Sequence, residues 1–208
     1  ITYLMADPSK SILVVDDDAS LCKLIAHILE QQGHAVVTCG TGEEAVKLLR
    51  QRRFDVLLLD LGLPDMDGMN LLSLWRGSNG TKVIVITADD TAETLMTAIR
   101  AGAYLYIRKP FAPEQLRDLV ATALKAQAPQ QIEVLSAKAD WLELSVPCSR
   151  DAAERMDQFM RQVKIDLPED AREGVAQAFR ELLMNAVEWG GELDPTRRVR
   201  ISLLRTPR

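Results

Sequence analysis

Ile12-Leu13-Val14-Val15-Asp16-Asp17 decides how this chain folds: four apolar residues followed at once by two carboxylates. Three further runs have the same form. Val56-Leu57-Leu58-Leu59 ends in Asp60, Val83-Ile84-Val85-Ile86 ends in Thr87, and Tyr104-Leu105-Tyr106-Ile107 leads through Arg108 to Lys109-Pro110. Unbroken apolar runs separated by helix-period segments mark parallel strands buried on both faces. In such sheets ligand chemistry gathers beyond the carboxyl ends of the strands. The sequence therefore predicts that Asp16, Asp17, Asp60, Thr87 and Lys109 share one crevice.

Outward from those runs, the gaps read as helices. Leu21, Leu24, Ile25, Ile28 and Leu29 fall at helical spacing, and Gly33 stops that helix. Ala35-Val36-Val37-Thr38 makes a further strand, followed by a helix bearing Ala45, Val46, Leu48 and Leu49. Residues 62–68 are a loop rich in turn formers, and helices are expected around Leu71 to Trp75, Glu93 to Arg100 and Leu116 to Leu124. Five strand–helix alternations over residues 10–127 predict an α/β domain with a doubly wound parallel sheet.

Residues 128–140 break this rhythm and read as a linker. A second, α+β unit is expected over 141–208. Trp141 to Val146 alternates as a half-buried strand does, and Ser149 is placed to cap a helix with Ala152, Met156, Phe159, Met160 and Val163 inward. Pro168-Glu169-Asp170 opens a longer helix expected to run to about Trp189, closed by Gly190-Gly191. Val175, Ala178 and Leu182 are expected on its apolar side, opposite Glu181 and Asn185. Arg198 to Leu204 reads as a last strand.

Bulk properties narrow the function classes. A net charge of −5 over 208 residues gives no electrostatic reason to expect nucleic acid, and it favours protein partners or a cation. No segment has the length and apolarity of a membrane span. Cys22, Cys39 and Cys148 lack metal-ligand spacing and read as reduced thiols of a cytoplasmic protein.

The chemistry of the crevice follows from its charges. Two carboxylates about 4 Å apart repel by roughly 4 kcal/mol at an effective dielectric near 20. Asp16, Asp17 and Asp60 together require raised pKa values or a cation, and hard oxygen ligands suit Mg²⁺ or Mn²⁺. Lys109 and Thr87 add a positive charge and a hydroxyl donor. A carboxylate nucleophile ringed by such groups is a phosphoryl-transfer pocket. An aspartate-nucleophile phosphatase is disfavoured, because Gly62 stands where such enzymes carry a second acid.

These motifs, in this order, closely resemble the receiver domains of two-component response regulators, whose fold is flavodoxin-like with strand order 2-1-3-4-5. The resemblance spans Val14-Val15-Asp16-Asp17, Asp60 to Gly68, Thr87-Ala88 and Tyr106 to Pro110. It implies that Asp60 accepts a phosphoryl group from a histidine kinase or phosphotransfer protein. It also implies that Asp16, Asp17, Asp60 and the Gly62 carbonyl hold Mg²⁺, and that Lys109 pairs with the phosphoryl oxygens. Thr87 and Tyr106 would form the switch, and Lys109-Pro110 would be cis. In the second unit, Phe179-Arg180-Glu181-Leu182-Leu183-Met184-Asn185-Ala186-Val187-Glu188 resembles the start of GHKL-type ATPase domains, nearest the anti-sigma-factor serine kinases, with Trp189 where histidine is common. That resemblance implies a general base at Glu181, an ATP-Mg²⁺ ligand at Asn185, and a target of the sigma-factor or anti-anti-sigma type. The alternative is a phosphorylation-gated interaction or homodimerisation module without ATP. Read without either resemblance, Glu181 and Asn185 also fit a merely solvated helix face.

Overall fold

Parallel strands β1 (Ser11–Val15), β2 (Ala35–Cys39), β3 (Val56–Asp60), β4 (Lys82–Thr87) and β5 (Leu105–Arg108) form one sheet in the order β2-β1-β3-β4-β5. These coordinates are a computed structural model, and the structure describes residues 9–75, 80–89, 91–125, 131–137, 141–162 and 168–204. β3 is buried along its whole length, as a central strand covered on both faces must be.

Two apolar layers flank the sheet. α1 (Ala19–Glu30) and α5 (Pro113–Lys125) cover one face, where Ile25, Leu29, Leu116 and Val120 pack against Ile12, Val14, Leu58 and Ile84. α2 (Gly42–Gln51), α3 (Gly68–Leu74) and α4 (Ala92–Ala101) cover the other, over Leu13, Val15, Leu57 and Val85. Alternate residues of each strand serve opposite layers, which is why neither face tolerates a polar residue until the strand ends. Local signals start the helices: Asp18 accepts from Ser20 and Leu21 at the head of α1, and Thr41 and Thr91 cap α2 and α4. Gly102, at φ +94°, closes α4 in the left-handed region.

The second unit is an antiparallel sheet β6-β7-β8 with helices packed on it. Its elements are β6 (Glu133–Ala137), β7 (Trp141–Pro147), α6 (Arg150–Gln162), α7 (Glu169–Asn185), a π-helical turn (Ala186–Gly190) and β8 (Arg198–Leu204). Within the stretch expected to be a linker, Glu133–Ala137 is a strand paired with β7; residues 128–130 and 138–140 lie outside the described residues. Arg198 ties this region together, its guanidinium donating to the Ser145 hydroxyl, the Ser145 carbonyl and the Gln131 carbonyl.

Two expectations for the helices need correction. Val175, Ala178 and Leu182 do not face the apolar side of α7. They are exposed, Leu182 by 70%, on the same side as Glu181 and Asn185. The buried ridge is instead Leu183 and Val187, with Phe179 half-buried beside them. Both faces of α7 carry apolar residues, so composition alone did not fix which one packs on α6. The helix also changes pitch after Asn185, and the π-helical turn carries the chain to Trp189 and Gly190. In α6, Ala152, Met156 and Phe159 are buried as expected, but so are Arg155 and Asp157; Val163 lies outside the described residues.

α6 lies along β5, the edge strand of the parallel sheet, and β6 lies against α4. One apolar cluster therefore continues from Leu13 and Val85 through Leu95, Ile99 and Tyr106 to Ile132, Leu144, Met156 and Phe159. A helix laid along an open strand edge also removes a template for unwanted pairing.

Candidate functional site

The ends of β1, β3, β4 and β5 meet as the strand pattern requires. Carboxylate oxygens of Asp16, Asp17 and Asp60 lie within 4.8 Å of one another. Lys109 Nζ stands 2.9 Å from Asp60 Oδ2, to which it donates a hydrogen bond, and 2.7 Å from Asp16 Oδ2. Asp16 and Asp60 are buried while Asp17 is exposed, so the cluster opens outward through Asp17. The Lys109-Pro110 peptide is cis.

The two buried charges respond in opposite senses to burial and to each other. Burial is the largest influence on Asp16 and raises its pKa, although the Lys109 ammonium and the Asp18 N–H pull it back. Burial alone would lower Lys109, but its contacts with Asp16 and Asp60 outweigh that and leave it raised. Asp16 Oδ1 accepts from the Asp18 N–H at 2.9 Å. Asp16 Oδ2 is sealed from solvent and its close neighbour among the described residues is the Lys109 ammonium, 2.7 Å away. Three carboxylates this close, faced by a single ammonium, form a hard oxygen donor set that fits a divalent cation such as Mg²⁺.

Gly62 lies close enough that a Cβ there would sit 3.8 Å from Asp60 Oδ2. Gly68 is constrained more tightly: a Cβ would lie 2.6 Å from the Asp60 carbonyl oxygen and from Leu61 Cα. Backbone cannot retreat as a flexible side chain can, so only glycine lets α3 start this close to β3.

Thr87 and Tyr106 converge on one peptide. Thr87 Oγ1 accepts from the Asp89 N–H at 3.1 Å, and the Tyr106 hydroxyl donates to the Asp89 carbonyl. Tyr106 is buried, its ring turned into the core. Asp89 itself accepts from the Thr91 N–H and the Thr94 hydroxyl, bracing the start of α4. An open cleft of about 440 Å³, lined in part by Gly62, Met69, Thr87 and Thr94, borders the site.

Sequence reasoning placed Asp16, Asp17, Asp60, Gly62, Thr87, Tyr106 and Lys109 together, and the structure brings them together. It missed Asp65 and Asp67. Asp65 accepts from the N–H groups of Gly42 and Glu43, at 2.8 and 2.9 Å, tying the β3–α3 loop to the head of α2; those bonds hold its pKa low. Asp67 caps α3 through the Met69 N–H. An acid three residues before a glycine in a turn-rich loop is a visible signal, but its partner more than twenty residues upstream is not. Glu181 and Asn185 are exposed on α7 and are not among the groups gathered around Asp60.

Comparison with known proteins bears on this geometry. A family model described as the response regulator receiver domain matches residues 12–121 and so ends before the second unit. The chain is 32% identical over 180 residues to the DNA-binding response regulator MtrA of Mycobacterium tuberculosis, covering 86% of this chain and 78% of that protein. It is 34% identical over 146 residues to the alginate biosynthesis transcriptional regulatory protein AlgB of Pseudomonas putida, covering 70% of this chain and 31% of that one. Among solved structures, a CheY-like response regulator receiver domain protein from Methanospirillum hungatei superposes with a TM-score of 0.54 at 33% identity, over 56% of this chain and 94% of that one.

Proposed function

Because this chain belongs to the response regulator receiver domain family, we propose that Asp60 is the phosphoacceptor and that the second unit is the output it controls. The donor is a histidine kinase or a phosphotransfer protein carrying phosphohistidine. An Asp60 oxygen attacks phosphorus, the P–N bond breaks, and the imidazole leaves. Lys109, already bonded to Asp60, is placed to follow the developing charge on the phosphoryl oxygens, and the Thr87 hydroxyl still has its proton to donate. Asp16, Asp17, Asp60 and the Gly62 carbonyl would hold Mg²⁺, which when bound neutralises charge on the transferring group. The observation that carries this reading is the Asp60 carboxylate held at a strand end by Lys109, with Asp16 and Asp17 beside it.

Acetyl phosphate with Mg²⁺ should add one phosphoryl mass to the wild type and none to Asp60→Asn. Equal labelling of both chains sinks the assignment.

For the output, a strand–helix–helix–strand order with Glu181 and Asn185 exposed one turn apart supports a GHKL-like unit. On that reading Glu181 is the general base, Asn185 a ligand of ATP-Mg²⁺, and the target a protein of the sigma-factor or anti-anti-sigma type. A second reading is a DNA-binding output, supported by the similarity to MtrA, a DNA-binding response regulator, over 180 residues against the 12–121 of the receiver match. The net charge of −5 weighs against it, since DNA binding draws on phosphate neutralisation. A third is an interaction or homodimer module, supported by the exposure of Leu182 and Trp189. A cytoplasmic location fits all three. Saturable ATP binding that requires Mg²⁺ and is lost in Asn185→Ala supports the first; binding of duplex DNA without ATP binding overturns it.

A further inference from the structure

The two edges of the second sheet, ordered β6-β7-β8, are built differently. β6 is short, shifts register against β7 between Val134 and Ser136, and lies against α4. β8 has none of these blunting features. It pairs with β7 over all seven residues, Arg198 to Leu204, without a shift, and contains no proline. Among the described residues no strand pairs with its outer side. A long, regular, unpaired edge is a template for another strand.

The backbone alternation shows what that edge offers. The Cys148 N–H donates to the Arg197 carbonyl at 3.0 Å, one step beyond the paired segment. In an antiparallel ladder, hydrogen-bonded and non-bonded pairs alternate. Val199, Ile201 and Leu203 therefore exchange bonds with Val146, Leu144 and Leu142 of β7, whereas Arg198, Arg200, Ser202 and Leu204 direct their N–H and C=O groups outward. Pro147 fits this phase, since it stands opposite Arg198 and has no N–H to give. Val199 and Ile201 pack on the apolar cluster yet stay half-buried, as a row does when its last strand lacks a neighbour. On the other face Arg198 and Arg200 each lie 3.4 Å from a carboxylate, of Glu133 and Glu143, so the strip is electrically balanced from within the sheet.

We propose that a second copy of this chain occupies the edge, β8 pairing antiparallel with β8 about a two-fold axis at Ile201, so that the two small sheets join into one. This register pairs all seven residues and sets outward ones against outward ones: Arg198 against Leu204, and Arg200 against Ser202. Every outward donor and acceptor is used, and no arginine directly faces another; a two-fold axis at Arg200 would set like charges opposite each other, which is unfavourable. The register also lays Ile201 beside its own copy and Val199 beside Leu203, completing the half-covered apolar row. A net charge of −5 opposes association of two copies in general, so contact is favoured where the acids are already paired, as they are along β8. This surface is distinct from Leu182 and Trp189, and the pairing stands whichever output the second unit serves and whether or not Asp60 is the phosphoacceptor.

The test is sedimentation equilibrium on the full chain as wild type, Ser202→Glu, Ser202→Lys, Ser202→Pro and Leu182→Glu. Wild type should dimerise reversibly. Ser202 is exposed, and Ser202→Glu puts a carboxylate opposite Arg200 of the second copy, at two symmetric places. It should tighten the dimer about 2- to 30-fold, and Ser202→Lys should loosen it by a similar factor. Ser202→Pro removes an outward N–H without touching the β7–β8 ladder, so it should leave a monomer with an unchanged far-ultraviolet dichroism spectrum. Leu182→Glu should leave the dimer as it is. Should Ser202→Pro fail to fold, the two charge variants carry the comparison. A wild type that stays monomeric up to about 1 mM chain overturns the proposal, as when another strand of the same chain fills the edge. A dimer indifferent to all three Ser202 variants overturns it too, and one lost in Leu182→Glu alone places the contact on α7 instead.

Discussion

Asp16 is ionised against resistance. Burial holds its carboxyl above the ordinary carboxylate range, so folding favours its protonated form. The stability that this group withholds is therefore small below the unfolded carboxylate pKa and complete above its raised, folded one. Lys109 acts the other way: its pKa is raised, so its contribution persists through neutral pH and is lost only in alkali. A cation on Asp16 Oδ2 removes the penalty where it is largest. Mg²⁺ should accordingly raise the melting temperature near pH 7 and do much less near pH 4, about where model carboxylates titrate. Thermal melts with and without Mg²⁺ at both values check this, and an unchanged melting point at neutral pH contradicts it. At this scale the sequence was most readable. Asp16, Asp60, Thr87 and Lys109 announced themselves because each ends an apolar run whose periodicity is local. Asp65, Asp89 and Arg155 did not, since their roles depend on partners brought close only by the fold.

Elements were legible in proportion to the contrast between their faces. The strands β1, β3 and β4 are apolar throughout, so burial on both sides was the only consistent reading. Helix α7 has little contrast: Leu182 and Val175 are as apolar as Leu183 and Val187, and only contact with α6 decides which pair is covered. The result places Glu181 and Asn185 beside Leu182 on an open face. Any ligand of those two residues therefore meets an apolar neighbour as well as a carboxylate and a carboxamide, which suits a base or ring better than a bare ion. The strand at Glu133–Ala137 was hidden for a related reason: it is short, mixed in composition, and shifts register against β7 between Val134 and Ser136.

The two units together form more than a receiver with an appendage. Their relation could not be read from sequence, since the joining contacts link Tyr104 to Asp151 and Arg155 across about fifty residues and rest on a tyrosine that also suits an ordinary strand. The apolar cluster that crosses from Tyr106 to Ile132 and Phe159 has a consequence for how the molecule comes apart. Neither half can unravel without stripping cover from the other, so the chain should behave as one cooperative unit. Scanning calorimetry should show a single heat-absorption peak whose van't Hoff enthalpy equals the calorimetric one, and two resolved peaks would contradict this. A chain that melts as one also resists digestion as one: an occupant at Asp60 would guard the peptide bonds around Trp189 from proteases, at the opposite end of the sequence.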